Sequence, residues 1–381
     1  MKEKELIFII DDPVVGLGLL RTAAVNNRTA VVIARYGCGS LRFAAACTKF
    51  YEISLSNMTH RLLESLHQLK IDTKSCSMVP AGDIATTALI NASACAELKT
   101  FPLPSLDVSS RLGSKDKFAE ICLEVGVSIP TTEAVENKHS LSNFINGSRI
   151  PYPIIVKPVN MSGGIGIKVV KNAAQLQSII DDKTFNFSPL VVQEYIDGED
   201  VGLSLLAKKG FITHAYVQRR SKSGDRFPPM PELVNQVKKL VHKEDYSGPA
   251  HVDARLGRDG KLYLIEFNAR FWASVHISDY LGVDLLGLGL GLMRDASPDN
   301  KTDTRIVSCE LNETFSFTQA LLGFLGIGVL SSKQYRRFFR TIMADPLAYV
   351  FTKLPTLRRF VNRSSVLIFN TKGSEIPAAR N

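Results

Sequence analysis

The sequence predicts an α/β domain, then an α+β domain, then a basic and mostly helical C-terminal region. Three observations carry this prediction. Short apolar segments alternate with amphipathic ones over residues 1–107, strand-like segments separated by turn residues follow to about residue 300, and basic residues cluster after residue 330. We therefore expect domains at 1–107, 108–300 and 301–381, with a small flap subdomain at about 127–193.

The first 107 residues read as strands and helices in alternation. Leu6–Ile10 and Ala30–Ile33 are short and apolar, while Leu17–Val25, Met58–Leu69 and Ile84–Leu98 are typical of helices. This order predicts a Rossmann-like parallel sheet with helices on its faces. A dinucleotide site is not expected, because G-L-G-L-L-R lacks the third glycine of the G-x-G-x-x-G fingerprint.

The composition is typical of a folded protein with several domains. With 381 residues, 45% of them hydrophobic and 22% charged, the chain has room for two or three folded domains. No apolar stretch reaches the roughly 18 residues of a membrane span. The six cysteines form no C-x-x-C pair, and we interpret them as reduced, buried thiols in a cytoplasmic protein.

Most of the formal charge of +9 belongs to the C-terminal region. Eight basic residues and one acidic residue, Asp345, lie between Ser331 and Arg363. One interpretation is peripheral contact of residues 320–363 with an anionic membrane surface. The other, which we favour, is a helical cap packed on the body with its basic face exposed. Nucleic-acid binding is not expected, because no known reader fold accompanies the basic run.

A hairpin at residues 251–270 is the most informative segment. Asp259-Gly260 predicts a two-residue turn between strands rich in apolar and β-branched residues. Partners then have numbers that sum to 519. The polar pairs are Asp253 with Glu266 and His251 with Asn268; the alternating core pairs are Val252 with Phe267, Ala254 with Ile265 and Leu256 with Tyr263.

The polar face of this hairpin predicts a metal site. Carboxylates that face each other across a strand pair repel unless a cation lies between them. Asp253, Glu266 and the amide of Asn268 offer the hard oxygen ligands that suit Mg²⁺. We expect one or two ions, which Mn²⁺ can replace. The alternative is a surface hairpin whose acidic residues face water.

A glycine-rich segment follows a second strand. The apolar strand Ile154–Lys157 runs into P-V-N-M-S-G-G-I-G and returns through Ile167–Val170. Backbone N–H groups of such a loop can close around phosphates, although a plain hairpin turn fits the pattern equally well. Lys157 is the stronger signal, because a charged residue that ends an apolar strand has no simple structural explanation.

In this order the segments resemble the ATP-grasp superfamily over residues 1 to about 300. The matching segments are D-K-F at Lys117, Y-P-I-I-V-K-P at Lys157, S-G-G-I-G at 162–166, Q-E-Y-I-D-G-E-D at 193–200, and Asp253 with E-F-N-A-R at 266–270. The sequence E-F-N-A-R-F-W-A-S is most similar to the carbamoyl-phosphate-synthase-like carboxylate–amine ligases. The resemblance implies an ATP-grasp fold preceded by a Rossmann-like, pre-ATP-grasp domain.

The same resemblance implies a role for each site residue. Phosphate contacts are implied for Lys117, Lys157, Ser162, Gly163, Gly164 and Gly166. Adenine contacts are implied for Glu194, Tyr195 and Ile196, and ribose contact for Asp200, with Glu199 as the alternative. Arg270 would lie near the transferred phosphoryl or acyl group, and with Lys157 it is the implied catalytic pair. His214 and His251 contact substrate or are structural histidines.

The expected function is an ATP-dependent carboxylate–amine ligase. It would form an amide through an acyl phosphate and release ADP and phosphate, with ATP and Mg²⁺ bound and a small-molecule carboxylate and amine as substrates. A homodimer is compatible with this expectation. The alternative is a catalytically silent ATP-binding scaffold, associated with a membrane surface or a partner through the basic C-terminal region.

Overall fold

The computed structural model describes residues 5–54, 58–145, 149–161, 163–221, 224–293, 305–307, 309–313, 325 and 333–361. Three sheets organise this part of the chain. The first is parallel and the second is antiparallel. The third is antiparallel except for one short strand.

The first sheet has the strand order β3-β2-β1-β4 and confirms the predicted parallel sheet. Its strands are β1 (Leu6–Ile10), β2 (Ala30–Arg35), β3 (Cys47–Ile53) and β4 (Ser77–Ala81), and its helices are α1 (Pro13–Val25), α2 (Met58–Gln68) and α3 (Asp83–Cys95), with a 3₁₀ segment at Gly39–Phe43. Every residue of β1 is buried, because helices cover both faces of the sheet. α1 begins after Asp12, whose carboxylate accepts hydrogen bonds from the Val14 and Val15 amides.

The second, small sheet has the order β5-β8-β6-β7. It consists of β5 (Thr132–Val135), β6 (Ile154–Pro158), β7 (Lys168–Val170) and β8 (Leu190–Glu194), with α6 (Ala173–Asp181) and a 3₁₀ segment at Lys138–Phe144. Leu141 and Leu176 belong to the buried cluster between these helices and the sheet. β6 and β7 pair antiparallel, as predicted for the arms of the glycine loop.

The third sheet has the order β13-β12-β9-β10-β11-β15, and β14 pairs parallel with β10. Its strands are β9 (Gly198–Lys208), β10 (Phe211–Ser221), β11 (Gly224–Phe227), β12 (Gly248–Gly257), β13 (Leu262–Asn268), β14 (Arg305–Val307) and β15 (Cys309–Glu313). Side chains of α4 (Leu106–Gly113), α5 (Lys115–Glu124) and α7 (Pro231–Lys243) join its core. The prediction of a mostly helical region from residue 301 is therefore wrong for β14 and β15, which form by pairing with β10 and β11.

The segment after β13 is helical in two pieces. α8 (Ile277–Leu281) ends at Gly282, which has φ +79°, and α9 (Leu285–Leu292) begins after Asp284. The carboxylate of Asp279, in α8, accepts hydrogen bonds from Thr22 and Asn26 of α1. These bonds link the first domain to the chain that follows the third sheet.

The described part of the C-terminal region packs on the body of the protein. α10 (Lys333–Ala344) contacts α1 and α8, and α11 (Pro346–Lys353) contacts α1. Phe339, Ile342 and Phe351 join the core on one face of the first sheet, and buried Asp345 accepts a hydrogen bond from the Ala45 amide at 3.0 Å. This packing agrees with the favoured interpretation of a cap.

The alternative of membrane contact concerns residues 320–363, which begin with the apolar segment 320–330. Apart from Leu325, that segment lies outside the described residues. Among the helices that the structure describes, none combines the length and the hydropathy that a membrane crossing requires.

The cysteine side chains differ in burial. Cys38, Cys76 and Cys122 are buried, but Cys95 is exposed and Cys47 is half-buried. The expectation that all six thiols are buried is therefore wrong for Cys95, which lies at the end of α3.

Two glycines of α9 provide a matched pair for a stability test. A Cβ at Gly289 would overlap the buried ring of Phe101, whereas a Cβ at Gly291 meets no atom within 4 Å. We expect Gly289→Ala to lower the free energy of unfolding by about 1–3 kcal/mol, because the Phe101 ring must shift in a packed core. Gly291→Ala should change it by less than about 1 kcal/mol and toward stabilisation, because alanine favours helix. Denaturant titration measures both, and equal effects would contradict the packing at Phe101.

Candidate active site

The register of the β12–β13 hairpin brings the predicted polar residues together. His251 faces Asn268, Val252 faces Phe267 and Asp253 faces Glu266, as predicted. Closer to the turn the prediction is wrong, since Ala254 faces Leu264 and Leu256 faces Leu262. The core positions are therefore Leu262 and Leu264 rather than Tyr263 and Ile265.

The physical reason is the turn. A two-residue type I′ turn needs positive φ at both central residues, but only Gly260 has one, at +78°. The Gly260 amide donates to the Gly257 carbonyl at 3.0 Å and the Gly257 amide donates to the Lys261 carbonyl at 2.9 Å, so the loop contains three residues. A bulge at Ile265 compensates for the extra loop residue and restores the pairing of Asp253 with Glu266.

The three predicted metal ligands lie on one face of this hairpin. Asn268 Nδ2 donates to Asp253 Oδ2 at 3.0 Å, and His251 Nε2 lies 3.3 Å from Asp253 Oδ1. Two carboxylates and an amide oxygen form a donor set that fits Mg²⁺. Among the described residues, no group of three or more histidine, cysteine, aspartate and glutamate side chains could hold a metal ion. The set at this hairpin consists of two carboxylates and an amide.

Lys157 lies beside these carboxylates and is only 2% exposed. Its Nζ donates to Gln193 Oε1 at 2.8 Å. Burial lowers the pKa of the Lys157 ammonium to about 8, and Lys115 adds to this shift, while Glu266 and Asp253 oppose it. The sequence identified Lys157 but not Gln193, which holds it from the neighbouring strand β8.

The glycine loop joins β6 to β7. Gly163, Gly164 and Gly166 have φ of +68°, +78° and +74°, a region that other residues rarely adopt. A Cβ at Gly166 would also overlap the ring of Pro158. Ser162, the fourth predicted phosphate contact of this loop, lies outside the described residues.

The predicted adenine and ribose residues follow β8. The Glu194 carboxylate accepts hydrogen bonds from the Thr131 amide and hydroxyl, Ile196 is buried, and the Tyr195 ring lies 5.6 Å from the Arg255 guanidinium. Both ribose candidates pair with arginines: Asp200 with Arg255 at 2.9 Å, and Glu199 with Arg219. Both carboxylates are therefore held in place by an arginine.

Arg270 connects β13 to the first domain. Its Nε donates to Asp83 Oδ1 at 2.7 Å, its Nη1 to the Phe271 carbonyl at 3.0 Å and its Nη2 to Asn268 Oδ1 at 3.3 Å. These bonds use three of the five N–H donors of a guanidinium, so its plane is fixed. Asp83 could not be identified from the sequence, because 187 positions separate it from Arg270.

The two predicted substrate-contacting histidines lie in different places. His251 stacks on Trp272 at 5.7 Å and its Nδ1 lies 3.0 Å from the Ser204 hydroxyl, so it belongs to the site through its contact with Asp253. His214 lines a separate cavity near Arg28 and Asp284.

The predicted phosphate ligand Lys117 is more peripheral than expected. Its side chain is 52% exposed, and its Nζ lies 3.0 Å from both carboxylate oxygens of Glu120 on the same helix. Lys115, for which the sequence predicts no role, is buried with its Nζ 3.3 Å from Glu266 Oε1.

Part of this site borders a cleft of about 750 Å³ between the first domain and the third sheet. Its walls come from α3, α4, the start of α5, the loop after β6, and the end of β13. Six of the residues described above line this cleft: Asp83, Lys115, Lys117, Glu266, Asn268 and Arg270. The cleft is large enough for a small-molecule ligand.

The chain is similar to known proteins over part of its length. The ATP-grasp domain family matches residues 113–274. The chain is 25% identical over 209 residues to the carbamoyl phosphate synthase arginine-specific large chain of Bacillus subtilis, covering 51% of this chain and 20% of the relative. It is 23% identical over 201 residues to a D-alanine–D-alanine ligase of Thermosipho africanus, covering 45% and 54%. The chain thus spans between a fifth and just over half of the length of these relatives.

Solved structures share the fold at low sequence identity. The L-amino acid ligase of Bacillus licheniformis superposes with a TM-score of 0.59 at 17% identity, covering 80% of this chain and 78% of that one. The biotin carboxylase of Campylobacter jejuni gives 0.60 at 15% identity, covering 78% and 73%. Residues 113–274 of this chain therefore match the ATP-grasp domain family, and the chain shares its fold with these solved structures.

Proposed function

We propose that the protein is an ATP-dependent ligase that joins a small-molecule carboxylate to a small-molecule amine. The observation that carries the proposal is the facing pair Asp253 and Glu266, with the buried ammonium of Lys157 beside it. Glu266 also lines the cleft of about 750 Å³. Two facing carboxylates next to a buried lysine destabilise the fold when no ligand is bound. The same groups can bind a metal ion and the triphosphate that it carries.

The reaction has two steps. A carboxylate oxygen forms a bond to the γ-phosphorus of ATP while the bond to the β–γ bridging oxygen breaks, and ADP leaves. The amine nitrogen then bonds to the acyl carbon, the carbon–oxygen bond to phosphate breaks, and the amine loses a proton to solvent. Neither step requires a covalent bond to the protein, so catalysis needs mainly charge neutralisation and positioning.

The residues of the site divide these tasks. Asp253, Glu266 and Asn268 would hold Mg²⁺, which supplies positive charge against the triphosphate. Lys157 adds a second cation, and its hydrogen bond to Gln193 fixes the position of Nζ.

Arg270 is assigned to the transferred phosphoryl or acyl group. The bonds to Asp83, Phe271 and Asn268 orient its guanidinium before substrate binds, which reduces the entropy lost on reaching the transition state. We assign the glycine loop to the phosphates, the Glu194 carbonyl and Ile196 amide to adenine, and Asp200 or Glu199 to ribose.

The direct test is ADP release from the full chain with a matrix of carboxylates and amines. We expect at least one pair for which ADP and phosphate form in equal amounts only when both substrates are present. Glu266→Gln assayed in parallel identifies contaminating ATPase activity. AMP and pyrophosphate would instead indicate adenylation and overturn the acyl-phosphate mechanism. Tight MgATP binding by calorimetry, without substrate-dependent ADP release, would favour the silent scaffold.

A further inference from the structure

The described C-terminal helices carry a group of exposed apolar side chains. Met343, Leu347, Leu354, Leu357 and Phe360 all lie within residues 343–360, and each is between 40% and 67% exposed. Single exposed apolar side chains are common on protein surfaces, but several in one place mark an interaction surface. This segment is therefore a candidate for contact with a partner.

Three of these side chains follow one another along a helical path. The Leu354 amide donates to the Val350 carbonyl at 2.8 Å and the Arg358 amide donates to the Leu354 carbonyl at 3.1 Å, so helical hydrogen bonding continues beyond α11. Leu354, Leu357 and Phe360 are spaced three residues apart, and residues at this spacing are neighbours on a helix surface. They therefore form a row and not scattered contacts.

The opposite side of the same helices packs on the body of the protein. Phe339, Ile342 and Phe351 belong to the core at the first sheet. The ring of Phe43, from the first domain, lies 6.3 Å from the ring of Phe351 and is itself 47% exposed. The cap thus uses one side for folding, and its exposed apolar surface continues onto the first domain.

The exposed charge of this segment has one sign. Residues 333–361 contain seven basic residues and one acidic residue, Asp345. Asp345 is buried and accepts a hydrogen bond from the Ala45 amide at 3.0 Å, so it does not offset the basic charge at the surface. Arg340 and Arg359 are exposed among the apolar side chains. Together these residues form what we term the cap face: Arg340, Met343, Leu347, Leu354, Leu357, Arg359 and Phe360.

We propose that the cap face docks on an anionic phospholipid membrane. The arginines bind the headgroup phosphates and carboxylates, while the apolar side chains enter the boundary between headgroups and acyl chains. The contact is peripheral, because the helices lie on the surface and do not cross it. The inference goes beyond the proposed ligase activity and does not depend on it.

Charge complementarity selects this occupant. A second copy of the chain would bring one basic cap face against another, and like charges across an interface oppose association. A nucleic acid offers phosphates to the arginines, but its backbone offers no apolar region to the leucines. An anionic membrane offers both, with negative charge at its surface and hydrocarbon directly beneath.

The test is sedimentation of the full chain with sucrose-loaded vesicles, without nucleotide. One set of vesicles contains phosphatidylcholine alone, and the other contains about 30% phosphatidylserine. We expect the partition coefficient to be at least about tenfold higher on the anionic vesicles at low salt. It should fall as the salt concentration rises, because salt screens exposed charges.

Two double variants separate the apolar contribution from the charged one. Leu354→Gln with Leu357→Gln should lower the partition coefficient on anionic vesicles by about tenfold, because less apolar surface is buried in the membrane. Arg340→Gln with Arg359→Gln should lower it by about tenfold as well and weaken its salt dependence. All four side chains are exposed, so melting temperatures should stay close to wild type.

Matched controls come from exposed positions elsewhere. Leu106→Gln with Leu123→Gln removes two exposed leucines of α4 and α5, and Lys74→Gln with Lys243→Gln removes two exposed positive charges. Judged on vesicle binding alone, the leucine control should match wild type. The lysine control should retain most of the binding, because its charges lie outside the cap face.

Several outcomes would overturn the proposal. Equal binding to both kinds of vesicle, no binding to either, or wild-type binding by either cap-face variant would each do so. A dimer in sedimentation velocity that Leu354→Gln with Leu357→Gln abolishes, without vesicle binding, would assign the face to a second copy. Binding to a DNA duplex in place of vesicles would assign it to nucleic acid. No arm requires turnover, so failure of the proposed ligase activity would leave this result standing.

Discussion

Glu266→Gln and Asp253→Asn are each expected to lower kcat/KM by at least about 100-fold, with loss of MgATP binding in calorimetry. Both substitutions preserve shape and hydrogen-bonding capacity but remove a negative charge from the pair that faces across β12 and β13. A neutral amide is a weaker Mg²⁺ ligand than a carboxylate. The loss should therefore arise from the metal site and not from unfolding.

The control for this experiment is Glu124→Gln. Glu124 lies at the far end of α5, where it pairs with Lys243 at 3.4 Å and is exposed. We expect wild-type kinetics and an unchanged melting temperature for this variant. Asp253→Asn should also melt close to wild type, since the Asp253 side chain is 48% exposed. Wild-type turnover in either site variant would show that the facing carboxylates do not bind the catalytic metal.

The hairpin shows how far sequence reasoning reaches. The alternation of polar and apolar residues correctly predicted that Asp253 lies opposite Glu266. A strand with one buried face has a fixed register, because a shift of one residue would expose its apolar side chains. It could not fix the turn, because Asp-Gly fits both a two-residue loop and a three-residue loop with glycine at its last position. The predicted pairing of Asp253 with Glu266 is nevertheless correct, because the bulge at Ile265 cancels the one-residue error in the predicted turn.

The lysines of α5 show where sequence reasoning stops. Residues two apart on a helix point in directions that differ by about 200°. One of Lys115 and Lys117 must therefore face away from the cleft interior, and the sequence does not say which. Resemblance favoured Lys117, whereas the structure buries Lys115 against Glu266 and the flap.

Contacts between distant parts of the chain could not be predicted from the sequence either. The bond between Asp83 and Arg270 depends on how α3 meets the end of β13. β14 has only three residues, too few for an alternation to indicate a strand, and it forms by pairing with β10. Both features follow from tertiary packing and not from a local pattern.

Lys157→Met is expected to lower kcat/KM for ATP by about 100-fold or more, because the variant lacks a cation at the phosphates. The wild-type enzyme should show a matching pH dependence. Burial lowers the pKa of Lys157 to about 8, so kcat/KM, which reports the free enzyme, should fall as pH rises through about 8. Lys157→Met should lack this limb of the profile. Lys183→Met, at an exposed loop position, should retain both rate and profile.

The same pKa predicts how stability depends on pH. An unfolded lysine keeps its proton up to about pH 10.4, so between about pH 8 and 10.4 the unfolded state binds more protons than the folded state. Below pH 8 Lys157 is charged in the folded state, and its burial lowers the free energy of unfolding by about 3 kcal/mol. This destabilisation decreases as pH rises from about 8 to 10.4, because the folded state loses the proton first. Urea titrations at intervals from pH 7 to 10 should show wild type gaining stability relative to Lys157→Met. Parallel curves for the two proteins would mean that the ammonium is not held at a cost in the folded state, and Lys157 would then lose its place as the buried cation of the site.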